Sequence, residues 1–450
     1  VNPAAWTLAT QAYVGLSSEG AITVDGSSKL SSASASLGYN AGSSGTVTIS
    51  GAGSQWTNDS FLNIGDDGSG SLYIRESGVV NNVYAYVGWS DKSSGTVTVT
   101  GAGSTWNNSG NLWISGECSG TLVIEDGGQV NNQIGYLGNN FALPTGAIAT
   151  ATVRGANSKW TNRGELHIAY FNSRAALIVE AGGQVNCTTG YIGESFDYSG
   201  TATISGANSR WTSDVLYVGY KGTLNVGSGG RVAANTIYLS TSSIGTGICN
   251  LDGGTLQAGT ISSSGPGGIS HFHWNDGTIK NNFNLKVNGN LTLELAATGT
   301  HAFNIDSGRT GTVDAILRDA TTGGTLTKTG LGKLTLTAAN TYSGDTFIDA
   351  GTLSIRMPYL NDLSGIHIAS GAKLDLGFTA SDTVGSLYFD GVLADYGSWG
   401  SSLSGAGHID DVHFSGTGML NVVPESSILA LLCMGGLGLF AYGWRRRMSR

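Results

Sequence analysis

A tryptophan recurs in this chain at the end of one repeated segment, and that repeat limits the fold more than any other feature. Gly45 to Trp56 reads GTVTISGAGSQW, Gly95 to Trp106 GTVTVTGAGSTW, Ala151 to Trp160 ATVRGANSKW and Gly200 to Trp211 GTATISGANSRW. The four tryptophans are separated by 50, 54 and 51 residues. Each unit continues with a short apolar element (FLNIG from Phe61, LWISG from Leu112, LHIA from Leu166, LYVG from Leu216). A strand, turn and strand follow, as in GSLYIRESGVVNN from Gly70 and GTLVIEDGGQVNN from Gly120. Small YVG, YLG and YIG markers begin at Tyr86, Tyr136 and Tyr191.

Each strand is four to six residues long and alternates in and out, as in Thr46, Val47, Thr48 and Ile49. Strands this short bury too little surface alone, whereas stacking rung on rung covers their apolar faces and pairs their backbones together. The expected fold is all-β, a right-handed parallel β-helix (β-solenoid) with roughly 20 to 25 residues per coil, followed by a short C-terminal transmembrane helix. A β-sandwich array would not need glycine pairs at every register, and a propeller needs longer strands and closure by the chain ends. The expected divisions are tryptophan-anchored coils over 1–248, a less regular solenoid over 249–322, a second repeat type with terminal coils over 323–422, and a tail over 423–450.

Composition agrees. Glycine contributes 71 of 450 residues, proline only 5, and charged residues 12%, with a net charge of −9. Glycine lacks the three-residue period of collagen, and the acidic balance excludes nucleic acid as a partner. Cys118, Cys187, Cys249 and Cys433 form no CxxC pair, so neither a disulfide framework nor a metal knot is expected.

Two readings stand for Trp56, Trp106, Trp160 and Trp211: coil-packing core residues, or exposed platforms for sugar rings. Under the second, neighbours such as Asn107, Asn108, Thr161 and Asn162 would supply hydrogen bonds, though the same residues suit turns. His271, His273, Trp274 and Asp276 form the densest polar group, with both histidines on one side of a strand but no third metal ligand. Asp59, Asp66 and Asp67 come nearest to a catalytic carboxylate cluster. Glu76, Glu125 and Glu180 read as equivalent positions of three units, a repeated surface feature and not an active site. No cofactor and no obligatory calcium site is expected, since the G-G-x-G-x-D nonapeptide is missing.

Gly324 to Ile355, GTLTKTGLGKLTLTAANTYSGDTFIDAGTLSI, resembles the passenger-associated repeat of bacterial autotransporters, also called the autotransporter-associated β-strand repeat. The matching cores lie at Lys328 to Leu336, Asn340 to Gly344, Thr346 to Ile348 and Gly351 to Leu353. The resemblance implies a right-handed β-helix on a bacterial surface. The segments from Gly365, Leu387 and His413 resemble strands that follow this repeat, the last as a final coil.

Val423, Pro424 and Glu425 precede an uncharged run from Ser427 to Trp444 and then Arg445, Arg446 and Arg447. An uncharged run of this length reads as membrane-spanning, with the arginines as a cytoplasmic stop-transfer cluster. Together these parts resemble the PEP-CTERM sorting signal, with Ser426 where the family has a second proline. That resemblance implies an exosortase-like processing enzyme as partner, inner-membrane anchoring before processing, and delivery to the envelope, surface or extracellular matrix. The opening VNPAAWTLAT lacks a basic, apolar leader, which points to a mature or truncated form. The function expected is that of a non-enzymatic structural or adhesive surface or matrix protein. Exopolysaccharide or other matrix components, and self-association through open solenoid ends, are its expected contacts. The alternatives are a polysaccharide-binding protein and a carbohydrate-active β-helix enzyme.

Overall fold

The structure is a computed structural model. It describes residues 5–423 apart from 117, 140–147, 172, 195–197, 241–244 and 264–267. The chain divides into two compact units, Val1–Leu293 and Glu294–Arg450.

In the first unit the chain winds into three-sided coils. One side carries the longer strands Glu19–Val24, Ser44–Ser50, Ser69–Arg75, Ser94–Thr100 and Ser119–Glu125. Each pairs in parallel with the next, Ser44 on Ser69, Ser69 on Ser94 and Ser94 on Ser119. The second side carries Lys29–Ser32, Gln55–Asn58, Val79–Asn82, Thr105–Asn108 and Gln129–Asn132. The third carries Gln11–Val14, Ser34–Leu37, Phe61–Ile64, Tyr84–Val87 and Leu112–Ile114. Each tryptophan repeat of the sequence is therefore two coils, and the parallel solenoid expectation holds.

Register explains the glycine content. Gly65 leaves the third side with φ of 76°, and a Cβ there would lie 2.2 Å from the Ser94 carbonyl oxygen of the next coil. Gly45 would place a Cβ 2.0 Å from the Val14 carbonyl oxygen of the coil before. Backbones approach at this corner more closely than any side chain allows.

Inside the coils the second side forms one column in which large and small apolar residues alternate. Trp56 pairs with Val80, Val80 with Trp106, Trp106 with Val130, Val130 with Trp160, Trp160 with Val185 and Val185 with Trp211. All four indoles are fully buried. An indole occupies more than one rung's height, and valine in the intervening rung leaves room for it. Two residues along, Asn58, Asn82, Asn108, Asn132 and Asn162 also point inward and are buried.

The second unit has shorter coils. Leu326 pairs with Thr346 and Thr346 with Ile366, while Leu334 pairs with Leu353 and Leu353 with Leu374. Leu326, Leu334, Leu353 and Leu374 are fully buried. Lys328 is also fully buried, and its ammonium donates to the carbonyls of Thr329 (2.8 Å), Gly330 (2.7 Å) and Ala350 (3.1 Å). A charge away from water is tolerable here because the coil corner supplies three acceptors.

The segment expected as a plain final coil does two things. Phe414–Gly416 continues the parallel stack on Lys373–Leu376. Met419–Val422 instead pairs in parallel with Ser381–Val384 and antiparallel with Gly397–Gly400. Val392–Leu393 adds a second antiparallel pair against Ser386–Phe389. Antiparallel return strands occupy edge groups that a solenoid of coils alone would leave open.

Candidate functional site

Rungs on the third side of the first unit turn alternate residues outward, and from Tyr86 to Tyr238 one of these outward positions is aromatic on every rung. Register places Tyr86, Trp113, Tyr136, His167, Tyr191, Tyr217 and Tyr238 in a single column. Their rings stack in sequence. Centroids lie 4.5 Å apart for Tyr86 and Trp113, 5.6 Å for Trp113 and Tyr136, 4.9 Å for Tyr136 and His167, and 4.7 Å for His167 and Tyr191. Tyr191 to Tyr217 and Tyr217 to Tyr238 follow at 5.0 and 5.1 Å, and no interplanar angle in the column exceeds 13°. The spacing follows the β-ladder, so the backbone sets the ring stack.

His167 is the one imidazole of the column. Its Nδ1 lies 2.5 Å from Glu194 and its Nε2 3.0 Å from Glu165, so two carboxylates hold the ring in plane between Tyr136 and Tyr191. Burial raises the phenol pKa values of Tyr86, Tyr136 and Tyr191. Neighbouring tyrosines reinforce this at all three, and Glu165 and Glu194 do so at Tyr136 and Tyr191. The hydroxyls stay protonated and act as neutral hydrogen-bonding groups.

Toward the start of the unit the column is interrupted. Ser36 and Asn63 fill the rungs between Tyr13 and Tyr86. The hollow is a cleft of about 420 Å3 whose lining includes Tyr39, Phe61, Tyr86 and Trp89, with Ser36, Asn63 and Asp66 as polar groups. Asp66 accepts hydrogen bonds from Ser36 (2.8 Å) and Asn63 (3.1 Å).

The residues singled out in the sequence fall elsewhere. Trp56, Trp106, Trp160 and Trp211 face the core, which corrects the sugar-platform reading: no indole face is open to a ligand. Three of their N–H groups donate to side-chain oxygens one coil earlier, Trp56 to Ser32 (3.0 Å), Trp106 to Asn82 (2.7 Å) and Trp160 to Asn132 (2.7 Å). Trp211 donates to the Cys187 sulfur at 3.3 Å, and burial pushes that thiol up to about 12. Asn108 and Asn162 belong to the buried column, while Asn107 bridges Asn81 and Asn131 in an outward amide ladder at 2.9 Å on each side.

His271 and His273 do share a strand face, with rings 5.5 Å apart. Among the described residues no group of three His, Cys, Asp or Glu side chains is placed to hold a metal. Glu125 and Glu180 share a column with Arg75 and Arg154, and Arg154 pairs with Glu125 at 2.5 Å. Glu76 lies one residue further on, in a turn with φ of 54°, so the equivalence expected of the three glutamates is off by one register there. Val423 donates its N–H to Val384. Pro424, Glu425, Arg445, Arg446 and Arg447, and with them the expected membrane helix, lie outside the described residues. Among the described residues no helix is long and apolar enough to cross a membrane.

The aromatic column was legible only in retrospect. Its members are the tyrosine of each YVG, YLG and YIG marker and the second residue of LWI, LHI, LYV and IYL, half a tryptophan repeat apart.

Comparison with known proteins adds three findings. Residues 326–355 match the Passenger-associated-transport-repeat family model. Over 227 residues, half of this chain, the sequence is 30% identical to the adhesin BmaC autotransporter of Brucella suis biovar 1 (strain 1330), and the match spans 6% of that protein's length. The crystal structure of a TibC-catalysed hyper-glycosylated TibA fragment aligns with 79% of this chain and all of its own, at 15% identity and a TM-score of 0.40. The chain is thus a parallel β-solenoid carrying a passenger-type repeat, similar in sequence over half its length to an adhesin.

Proposed function

We propose that this chain is a non-enzymatic structural or adhesive protein of a bacterial cell surface or extracellular matrix. The observation that carries the reading is the repetition of outward chemistry. The same column presents a ring on seven successive rungs, and another presents amides at Asn81, Asn107 and Asn131, where a catalyst needs one unique constellation. Repeated identical groups at fixed spacing suit multivalent contact with an extended partner. The similarity to an adhesin and the passenger-type repeat support the same assignment.

The route to the surface belongs to the same proposal and rests on the tail sequence. Val423, Pro424 and Glu425 would be recognised by an exosortase-like enzyme. The apolar run would anchor the precursor in the inner membrane, with Arg445, Arg446 and Arg447 on the cytoplasmic side. Exopolysaccharide or other matrix components are the proposed contacts, together with further copies of the chain. Mass analysis of the native C-terminal peptide from inner-membrane, outer-membrane and medium fractions tests the route. A terminus near Glu425 outside the inner membrane supports it. An intact Arg450 terminus confined to the inner membrane contradicts it.

A further inference from the structure

We infer that the cleft at the start of the first unit is a binding site for one neutral pyranose ring of a glycan. The inference rests on the surface-adhesive reading and gives it a ligand class.

The site is built by omission. Rungs lie about 4.8 Å apart, so Tyr13 and Tyr86, three rungs apart, have ring planes roughly 14 Å apart, and within that span the Phe61 ring stacks against Tyr86 at 6.1 Å. The two rungs between them carry Ser36 and Asn63 in the column, where rungs further along carry aromatic rings. Flanking side chains wall the gap. Phe61 and Trp89 are 42% and 43% exposed, Tyr39 is 37% exposed, and the Trp89 ring meets Tyr86 edge-on at 4.3 Å. Aromatic walls of this kind take the C–H face of a sugar ring.

The polar side of the cleft selects among occupants. Asn63 donates through Nδ2 to Asp66, which fixes the amide orientation. Its Oδ1 is buried and has no partner among the described residues. An aromatic side chain from another protein would fill the gap but cover the Asp66 carboxylate with apolar carbon, at the usual cost of desolvating a charged group. Sugar hydroxyls donate to the Asp66 carboxylate. Among the described residues no lysine or arginine lines the cleft, and Asp66 with its neighbour Asp67 repels an acidic sugar. The ligand is therefore a neutral hexose or N-acetylhexosamine residue, and the column of rings beyond Tyr86 extends the surface along which a longer glycan lies.

The test is saturation-transfer NMR on the full chain. The probes are methyl glycosides of glucose, galactose, mannose and N-acetylglucosamine, with α- and β-linked glucose trisaccharides. The expected result is a saturable signal on the ring C–H protons of at least one probe at millimolar concentration, weakened at least about tenfold by Trp89→Ala. Ser36→Tyr continues the column through the gap with a residue other rungs already carry; it should leave the fold intact and remove binding by the same factor. No saturable signal from any probe overturns the inference, as does a signal that Ser36→Tyr leaves unchanged. Adhesion of beads coated with the protein is measured in parallel: adhesion that persists without any sugar signal overturns the pocket alone, whereas loss of both overturns the adhesive reading as well.

Discussion

The indole N–H of Trp106 donates to the side-chain oxygen of Asn82, one coil earlier, at 2.7 Å, and the Asn82 amide in turn donates to Asn108 at 2.6 Å. A buried indole is thereby satisfied without water, by a residue of the neighbouring coil. Asn82→Leu removes the acceptor and leaves two buried polar groups unpaired, and should cost about 2 kcal/mol. Because solenoid stability is carried rung by rung, the loss should appear in hydrogen exchange as faster opening of amides around Val79–Asn82 and Thr105–Asn108 before it appears elsewhere.

The alternation of tryptophan and valine is steric. Val130 lies between Trp106 and Trp160 in the column. Val130→Trp would place three indoles on consecutive rungs and should destabilise the unit by about 1 to 3 kcal/mol through overpacking. Trp106→Ala opens a cavity instead and should cost about 3 to 5 kcal/mol. Thermal or denaturant unfolding of both variants checks the pair. An unchanged midpoint for Val130→Trp would show that the alternation has no packing role.

His167 completes the ring column between Tyr136 and Tyr191. His167→Ala removes two stacked contacts and leaves Glu165 and Glu194 near each other without their shared partner. The expected cost is about 1 to 3 kcal/mol. His167→Tyr restores the stack but not the contacts to Glu165 and Glu194, and should recover part of it.

In the second unit burial pulls the Lys328 ammonium from its usual 10.5 down to about 8. The unfolded chain then binds more protons than the folded one between about 8 and 10.5, so this residue's contribution to stability rises with pH across that window. Lys328→Met leaves the carbonyls of Thr329, Gly330 and Ala350 without their donor and should cost about 3 kcal/mol. Stability of wild type relative to the variant should increase from pH 8 upward; a flat difference would contradict the assignment.

Asp375 shows the opposite sign. Burial works to raise its pKa, but hydrogen bonds from Lys333 (2.7 Å) and Ser354 (2.8 Å) prevail and hold the carboxyl below its usual 3.8. Its stabilising contribution is complete above that value and is lost as pH falls through the lowered one. Asp375→Asn should cost about 1 kcal/mol at neutral pH, a modest figure because the Lys333 side chain is 40% exposed and screened. Below pH 3.8 the gap to wild type should close in acid titration followed by circular dichroism.

The solenoid was legible because its cause is local and repeated. Alternation as in Thr46 to Ile49 recurs coil after coil, with glycine or a small residue such as Ser115, Ala149, Ala169 or Ala175 at the places of Gly65 and Gly45, and the sequence shows the period directly. The tryptophans were legible as a column but not as to face, since a four-residue strand such as Gln55–Asn58 reads equally well either way until neighbouring coils cover one side. The ring column is not legible in the sequence because its members differ in type (Trp113, His167 and Tyr191) and meet only through register. Glu76 was misaligned by one because Arg75 and Glu125 occupy the same rung position with opposite charge. The antiparallel returns at Val392–Leu393 and Gly397–Gly400 have no coil period to announce them.

Display of this solenoid at the cell surface is tested by labelling intact and lysed producing cells with antibody raised against residues 5–293. Equal labelling of both is expected. Labelling that appears only after lysis would contradict it.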